Sequence, residues 1–337
     1  MSIVDNIYKN ILSSIISDGH WTSDFDTRTV WADTNEKAHT KKISMVTNRY
    51  YPGVEFPAIT LRKLAFNSAI KEMLWIYQKK SNVIAELGSH IWDQWEQPDG
   101  TIGKAYGWQV GNKKFKINTT INKILSINPK WFETEDGSIT LTNFKSRIYN
   151  TMVETDNEVS NVLEIFGDSV YTFYLDQMDY VLHELKYNPM SRRIMISLWD
   201  VDDLSDMALQ PCCNRLEFNV NKASDGKMYL DMKLDQRSWD TIVAGPWNIA
   251  QYATLHCILA KLNGYELGTM LHVITDAHIY DRHIDIAKEL LSREGYDAPT
   301  LKLNFGENYS FYDIKPEDIV LEGYNSCSQI NNIPVAK

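Results

Sequence analysis

Two runs of alternating apolar residues on either side of a Ser-Asp-Gly turn constrain the fold of this 337-residue chain most strongly. Apolar side chains occupy every second position from Leu216 to Val220 and again from Met228 to Leu234. This period of two predicts β-strands, and the intervening Asp-Gly is typical of a tight hairpin turn. The chain is therefore expected to contain an antiparallel pair of strands with one buried face.

Helical patterns are scattered around this hairpin. Pro246 is typical of a helix start, and Asn263-Gly264 of a helix end. Helices are predicted at 64–77, 179–186, 246–262 and 284–293, and further strands at 194–198 and 270–275. Strands in hairpins with helices between them favour an α+β fold over a doubly wound sheet.

A length of 337 residues fits either one large domain or two ordinary ones, and 44% hydrophobic residues can form a sizeable core. We predict a single domain over 1–337. Residues 113–170 differ, because they are rich in Asn, Thr, Asp and Glu and only weakly periodic. We interpret them as a surface insertion, partly ordered by four aromatic residues: Phe115, Trp131, Phe132 and Phe144.

Charge and cysteine usage exclude several classes of protein. The net charge of −10 argues against a broad nucleic-acid surface, although a few arginines can still form a local anion site. Four cysteines without a C-x-x-C pair form a poor disulfide framework and a poor zinc site, so no metal is expected. No run of eighteen apolar residues and no signal peptide are visible, which predicts a cytoplasmic protein without membrane spans.

The pair Cys212-Cys213 follows Pro211 at the head of the first hairpin strand. Consecutive strand residues point to opposite faces, so the two thiols cannot both enter one site. Most cysteines are inert small apolar residues, and a nucleophilic thiolate needs nearby positive charge to lower its pKa. Arg237 on the second arm offers that charge, although a lone arginine at a strand end is usually solvated.

Several longer segments resemble one family in both order and spacing. They are SRRIMISLWDVDDLSDMALQPC, QRSWD, GPWNIAQY and DAHIY, preceded by FPAIT, KEMLWIY and IWDQWEQPDGTIGKAYG and followed by the terminal IPVAK. Over Arg28–Gly111 and Leu175–Lys337 the chain resembles the thymidylate synthase family. Several separate motifs in register are far more specific than any single one.

The resemblance implies a mixed sheet with surrounding helices, a sheet-mediated homodimer, and methylation of deoxyuridylate (dUMP) to thymidylate (dTMP). The donor of carbon and hydride would be 5,10-methylenetetrahydrofolate. Cys212 would add to C6 of the pyrimidine, which makes C5 nucleophilic. The resemblance also gives catalytic roles to Arg237, Asp240 and Tyr106.

The resemblance further implies a set of phosphate-binding residues. It assigns Arg28, Arg237 and Ser238 to the substrate phosphate. It implies that a neighbouring subunit donates Arg192 and Arg193, for which the alternative is a solvated strand end.

Glu72 stands out on the residues alone, because it lies in a helix among apolar neighbours such as Met73 and Trp75. Burial would raise the pKa of its carboxyl and suit it to proton transfer at O4 and C5 of a pyrimidine. The alternative is a glutamate at the helix edge, paired with Lys71 or a nearby lysine. The resemblance supports the catalytic interpretation.

Asn248 lies just inside the helix that begins at Pro246. Its amide offers both donors and acceptors and so matches O4 and N3–H of uracil, as the resemblance also implies. His278 and Tyr280 project to one face of a strand, and they resemble the pair that holds the ribose hydroxyl.

The folate site is inferred from the resemblance together with the suitability of flat aromatic rings for a pterin. For each Trp the alternative is ordinary core packing. The expected residues are Ile91, Trp92, Trp95, Asp240, Ala244, Gly245, Trp247 and Val335.

The stretch Val243–Asn248 departs from the LGLPFN pattern usual in the family, since its glycine is shifted and Trp replaces Phe. This departure leaves open a bacteriophage-type dUMP hydroxymethylase, in which water replaces the hydride. A non-catalytic nucleotide sensor or RNA-binding repressor is a further alternative. Retention of Cys212, Glu72, Arg237 and Asn248 together favours the synthase over that last alternative.

Overall fold

The computed structural model describes residues 2–131, 168, 170–306 and 309–337. Among these residues the helices are α1 (Ile3–Asp18), α2 (Phe66–Tyr77), α3 (Gly107–Asn112), α4 (Ile121–Ile127), α5 (Gln177–Tyr187), α6 (Gly245–Leu262) and α7 (Ile284–Ser292). The strands are β1 (His20–Trp21), β2 (Thr40–Tyr50), β3 (Lys114–Thr120), β4 (Val170–Asp176), β5 (Met195–Ser197), β6 (Cys213–Lys222), β7 (Met228–Gln236), β8 (Trp239–Asp240), β9 (Glu266–Tyr280), β10 (Thr300–Leu303) and β11 (Ile319–Glu322).

The predicted hairpin lies at the centre of the main sheet. β6 and β7 pair antiparallel from Leu216↔Leu234 to Lys222↔Met228, and Gly226 in the turn has φ +87°, a conformation that favours glycine. Along β7, Leu230, Met232 and Leu234 are buried while the intervening residues are half-buried. The period of two in the sequence thus corresponds to one face against the core.

In the described part of the chain, the main sheet runs in the order β1-β2-β9-β7-β6-β5, with β8 also paired to β9. β2 pairs antiparallel with β9, whereas β7 and β8 lie parallel to β9. A mixed sheet with surrounding helices confirms the α+β prediction. β9 is much longer than the predicted 270–275, so its carboxyl end carries the DAHIY motif.

Two apolar helices, α2 and α6, pack against each other and form much of the core. α6 begins with Gly245-Pro246 and ends at Leu262 with Asn263 as its cap, and Gly264 follows in the left-handed region, as predicted. Fourteen of its eighteen residues are buried, so polar residues on it need partners within the protein. The predicted helices 64–77, 179–186 and 284–293 correspond to α2, α5 and α7 with small shifts at their ends.

Part of the segment 113–170 forms regular structure. β3 pairs antiparallel with β4, and α4 packs beside them in a small apolar cluster that includes Trp131 and Phe173. Phe115 stacks on Tyr180 with ring centroids 4.0 Å apart. Phe132 and Phe144 lie outside the described residues, and the single domain with an insertion stays a prediction. Within the described residues, no helix has both the length and the apolar character that a membrane crossing needs.

Candidate active site

The loop that precedes β6 holds Cys212 in a fixed position. The backbone N–H of Arg237 donates to the Cys212 carbonyl over 2.9 Å. The guanidinium donates from Nε to the Pro211 carbonyl (3.0 Å) and from Nη2 to the Gln210 carbonyl (2.8 Å). Arg237 therefore holds this loop in place through three hydrogen bonds, and the alternative of a freely solvated strand-end arginine is wrong.

The two adjacent cysteines have different surroundings, as predicted. Cys212 is half-buried, whereas Cys213 is buried as the first residue of β6 and is hydrogen-bonded to the Tyr252 hydroxyl. Burial raises the pKa of Cys213 well above its ordinary value. Of these two thiols, only that of Cys212 is partly exposed.

The charges around Cys212 act in opposite directions. Burial raises the pKa of its thiol, the positive charges of Arg237 and Arg28 lower it, and Asp240 raises it further. The net shift is upward, so Arg237 has the predicted sign but does not by itself produce a thiolate. Arg28 is exposed, and its effect on Cys212 places it on the same side of the molecule.

Tyr106 lies beside the loop that precedes β6, where its hydroxyl accepts a hydrogen bond from the Cys212 backbone N–H over 3.2 Å. Burial raises the phenol pKa well above its ordinary value, so the hydroxyl keeps its proton and can donate it to a ligand. The Tyr106 backbone has φ +44°, a conformation that costs about 1–3 kcal/mol in a residue other than glycine and is commonest at functional sites.

Glu72 is buried on α2, and three N–H groups donate to its carboxylate. Trp92 Nε1 donates to Oε1 over 2.6 Å, while Trp247 Nε1 (2.6 Å) and Gln251 Nε2 (2.8 Å) donate to Oε2. Burial raises the pKa of Glu72, and the three donors partly oppose this rise. The expected buried carboxyl is present, and within the described residues no ion pair joins it to Lys71 or another lysine.

Asn248 is oriented by a chain of polar side chains that the sequence did not reveal. Gln236 Nε2 donates to Asn248 Oδ1 over 3.0 Å, and Gln236 Oε1 lies 2.8 Å from His272 Nε2. Burial lowers the pKa of His272 to about 3, so it is neutral and donates its Nε2–H to Gln236. The chain leaves the Asn248 Nδ2 donors and one Oδ1 lone pair for a ligand.

A signal for Gln236 was present in the sequence. Gln236 occupies the next inward-facing position of β7 after Leu230, Met232 and Leu234. A polar side chain at such a buried position needs a hydrogen-bond partner. The sequence could not show that the partners come from α6 and β9.

β8 and the end of β9 bring Asp240, His278 and Tyr280 together. Asp240 and His278 are directly paired across the two strands, and the rings of His278 and Tyr280 lie 5.2 Å apart, edge to face. Asp240 Oδ1 accepts from the backbone N–H groups of Ile242 (3.0 Å) and Val243 (3.1 Å). Cys212 and Asp240 both contribute to the raised pKa of Tyr280, after burial as its main cause, so all four residues share one site.

Comparison with known proteins identifies the family. The family model described as "Thymidylate synthase" matches residues 6–336. The chain belongs to the thymidylate synthase family.

Individual members of the family match over nearly the whole chain. The thymidylate synthase of Bacillus phage phi3T and thymidylate synthase 1 of Bacillus subtilis (strain 168) are each 36% identical over 327 residues, 96% of each chain. The solved structure of thermostable thymidylate synthase A from Bacillus subtilis has 34% identity and a TM-score of 0.75, and the match covers 99% of both chains. The predicted family, fold and methyltransferase class are thereby confirmed.

The residues predicted for the folate of a thymidylate synthase lie on several elements. Trp92, Trp95 and Tyr106 form an aromatic group, with Trp92 5.2 Å from each of the other two rings. Ile91, Trp95 and Ala244 are half-buried, and Val335 lies in the C-terminal segment. Trp92 and Trp247 also orient the Glu72 carboxylate, a role that the sequence did not predict.

Gly245 of this thymidylate synthase family member lies where a larger side chain would clash with its neighbour. A Cβ there would lie 2.9 Å from Cε2 of the Trp239 indole, which is fully buried. The glycine, which is shifted relative to the usual family pattern, therefore leaves the space that the Trp239 indole of this chain occupies.

The C-terminal segment pairs with the chain just after Arg28. Val30 and Lys337 exchange two backbone hydrogen bonds of 2.9 Å, and the Val335 carbonyl accepts from Ala32 N–H over 3.3 Å. His283 Nε2 lies 2.8 Å from the Pro334 carbonyl. Val335 is thus anchored beside the segment that carries Arg28.

Arg192 and Arg193 do not join this cluster. Both are exposed between α5 and β5, and neither side chain has a hydrogen bond or ion pair with the described residues. Arg192 lines a surface cavity of about 320 Å³ on the main sheet together with Arg49 and Lys233. In the part of the chain that the structure describes, no group of three or more His, Cys, Asp or Glu side chains is arranged to hold a metal ion.

Proposed function

We propose that this chain converts dUMP to dTMP, with Cys212 as the nucleophile and 5,10-methylenetetrahydrofolate as the second substrate. The observation that carries the proposal is the arrangement around Cys212. A clamped, half-buried thiol shares one site with Asp240, Tyr280 and the cation of Arg28. A thiol, an ordered polar group and a nearby cation together suit addition to the ring of an anionic nucleotide.

The Cys212 thiol loses its proton and its sulfur forms a bond to C6 of the pyrimidine, while the electron pair of the C5–C6 double bond moves to O4, which takes up a proton. The half-buried Asn248 amide, fixed by Gln236, meets O4 and N3–H of uracil. Burial raises the pKa of Glu72, so its carboxyl is suited to hold or release a proton at O4 and C5. Arg28, Arg237 and Ser238 would bind the phosphate, where guanidinium groups make strong charge-assisted bonds.

The residues beside Asp240 fit a reduced folate. Asp240 Oδ1 already accepts two backbone N–H groups, and Oδ2 has no partner among the described residues, so it can accept from ring N–H groups. Trp92, Trp95, Trp247 and Val335 supply apolar surface around it, and Ile91, Ala244 and Gly245 complete the expected wall. When bound, the folate supplies one carbon and a hydride.

We also propose that the active unit is a homodimer in the cytoplasm. Among the described residues the side chains of Arg192 and Arg193 are exposed and have no hydrogen bond or ion pair, which supports donation to the phosphate of the neighbouring subunit. All four cysteines are free, which suits a reducing compartment.

The product distinguishes this function from a dUMP hydroxymethylase. We expect each dTMP formed from dUMP and 5,10-methylenetetrahydrofolate to be accompanied by one dihydrofolate, visible as a rise in absorbance. Mass analysis of the nucleotide gives the second readout. Formation of 5-hydroxymethyl-dUMP without dihydrofolate would replace the synthase with the hydroxymethylase, and absence of any new nucleotide would favour a non-catalytic role.

A further inference from the structure

Asp276 and Lys42 form a charged group behind His278. His278 Nδ1 lies 2.8 Å from Asp276 Oδ1, two residues earlier on the same face of β9. Lys42 on β2 is the direct cross-strand partner of His278, and its ammonium forms an ion pair with Asp276 Oδ2. His278 is 6% exposed, so its hydrogen bond to Asp276 largely determines the orientation of the imidazole ring.

The hydrogen bond fixes which ring nitrogen carries the proton. Burial opposes ionisation of Asp276, but hydrogen bonds and charge from His278 and Lys42 outweigh burial and lower the pKa of the carboxyl. An ionised carboxylate only accepts hydrogen bonds, so Nδ1 of His278 must donate. In the neutral ring, Nε2 is then a bare acceptor, and it has no hydrogen-bond partner among the described residues.

We propose that Asp276 and Lys42 are positioning residues that hold His278 as the neutral Nδ1–H tautomer, so that Nε2 accepts a hydrogen bond from the sugar 3′-hydroxyl. This inference rests on the proposed function, because it takes a deoxynucleotide as the ligand. Asp276 sets the tautomer. Lys42 holds the Asp276 carboxylate in place through its ion pair.

The neighbouring groups complete a match to a hydroxyl. Burial raises the pKa of Tyr280, so its phenol keeps a proton and can donate to the hydroxyl oxygen while His278 accepts the hydroxyl proton. The titratable and charged groups facing the imidazole are Asp276 and Tyr280 on β9, Lys42 on β2 and Asp240 on β8. A 3′-hydroxyl that both donates and accepts would be preferred over hydrogen at that position.

Calorimetric binding of dUMP and of 2′,3′-dideoxyuridylate, which lacks the hydroxyl, tests the proposal in the full-length chain. Asp276→Ala should weaken dUMP binding by about three- to tenfold, the value of one neutral hydrogen bond, and dideoxyuridylate binding by less than about twofold. Equal weakening of both nucleotides would reduce Asp276 to a structural role and overturn the proposal.

Lys42 provides a second variant. Lys42→Met removes the ion pair that holds the Asp276 carboxylate, so it should weaken dUMP binding more than dideoxyuridylate binding. Lys42→Arg should restore the wild-type preference for dUMP, and Lys41→Met is the matched control, because the Lys41 ammonium contacts the Ile16 carbonyl instead. An unchanged preference in Lys42→Met would overturn the role of Lys42.

A spectroscopic test needs no destabilised variant. Nitrogen NMR of the wild type, with the His278 signal assigned by its loss in His278→Gln, should show an unprotonated Nε2 at neutral pH. A protonated Nε2 would overturn the tautomer assignment. These measurements concern binding alone, so a wild type that binds dUMP with this selectivity but forms no dTMP would overturn the proposed function and leave the inference intact.

Discussion

At the scale of single residues, Glu72 shows what the neighbouring sequence can and cannot predict about a residue in the site. Its burial was predictable, because the helix around it is apolar. Its three hydrogen-bond donors were not, because Trp92 lies 20 residues away and Trp247 and Gln251 lie 175 and 179 residues away. Local patterns report whether a side chain is buried, whereas its partners depend on tertiary packing.

The different surroundings of the two cysteines lead to a first prediction. Cys212→Ser should abolish dTMP formation yet leave folding and dUMP binding intact, because only the reactive sulfur is lost. Cys213→Ser should keep substantial activity, since its side chain faces the core beside Tyr252. Turnover, binding and thermal unfolding of both variants check this, and a dead Cys213→Ser with an active Cys212→Ser would reverse the assignment.

The raised pKa of Cys212 predicts how the free enzyme reacts with an alkylating agent. The thiolate is the reactive form, and a raised pKa moves its appearance to higher pH. Iodoacetamide labelling of Cys212, followed by mass spectrometry, should therefore accelerate through the alkaline range. The pH at which labelling is half-maximal should be higher than for free cysteine, whose pKa is about 8.5. A labelling rate that is already maximal at pH 7 would contradict this assignment.

At the scale of elements, the start of α6 depends on how closely it approaches β8. Pro246 fixes the first turn, and Gly245 lets the helix begin against the Trp239 indole. The same turn carries Trp247 and Asn248, so a shift of the helix start would displace both side chains. The departure from the usual family pattern is thus linked to the position of two proposed ligand-binding residues.

Gly245→Ala should therefore destabilise the protein and impair its site. Overpacking of this kind typically costs about 1–3 kcal/mol, so a fall of several degrees in Tm and an increase in the KM for the folate are expected. Gly306→Ala is the matched control, because a Cβ there meets nothing within 4 Å and its φ lies outside the left-handed region. Similar behaviour of the two variants would show that the contact with Trp239 does not matter.

The strands show the same division between local and long-range information. The β6–β7 hairpin was predictable because its turn lies between the two patterns. The parallel pairing of β7 with β9 was not, since alternation predicts a buried face without naming the neighbouring strand. That pairing brings His272 next to Gln236, so the polar chain to Asn248 could not be anticipated either.

At the scale of the whole molecule, the main sheet has one face against α6 and another that is rich in charge. On the second face, Arg215 pairs with Glu217 and Asp235, and Lys233 pairs with the same two carboxylates. These side chains are partly exposed in the single chain, and the cavity lined by Arg192 lies on the same strands. This face is a suitable surface for the proposed second subunit.

Shared sites across that surface can be tested with two inactive parents. After subunit exchange between Arg192→Ala and Cys212→Ser chains, each hybrid dimer holds one site with both residues intact. Random mixing should then recover about one quarter of wild-type activity. Sedimentation and native mass spectrometry verify the exchange, and verified hybrids without recovered activity would show that Arg192 does not serve the neighbouring site.

The indoles around Glu72 have an optical consequence. Trp92 and Trp247 both donate to one carboxylate, so protonation of that group or arrival of a ligand changes the electric field at two fluorophores at once. Their emission should therefore respond to nucleotide and folate without an attached dye. The ten tryptophans of the chain would dilute this signal, but Trp92→Phe and Trp247→Phe would identify its source. The buried Glu72 carboxyl thus has two tryptophans beside it that can report on its state.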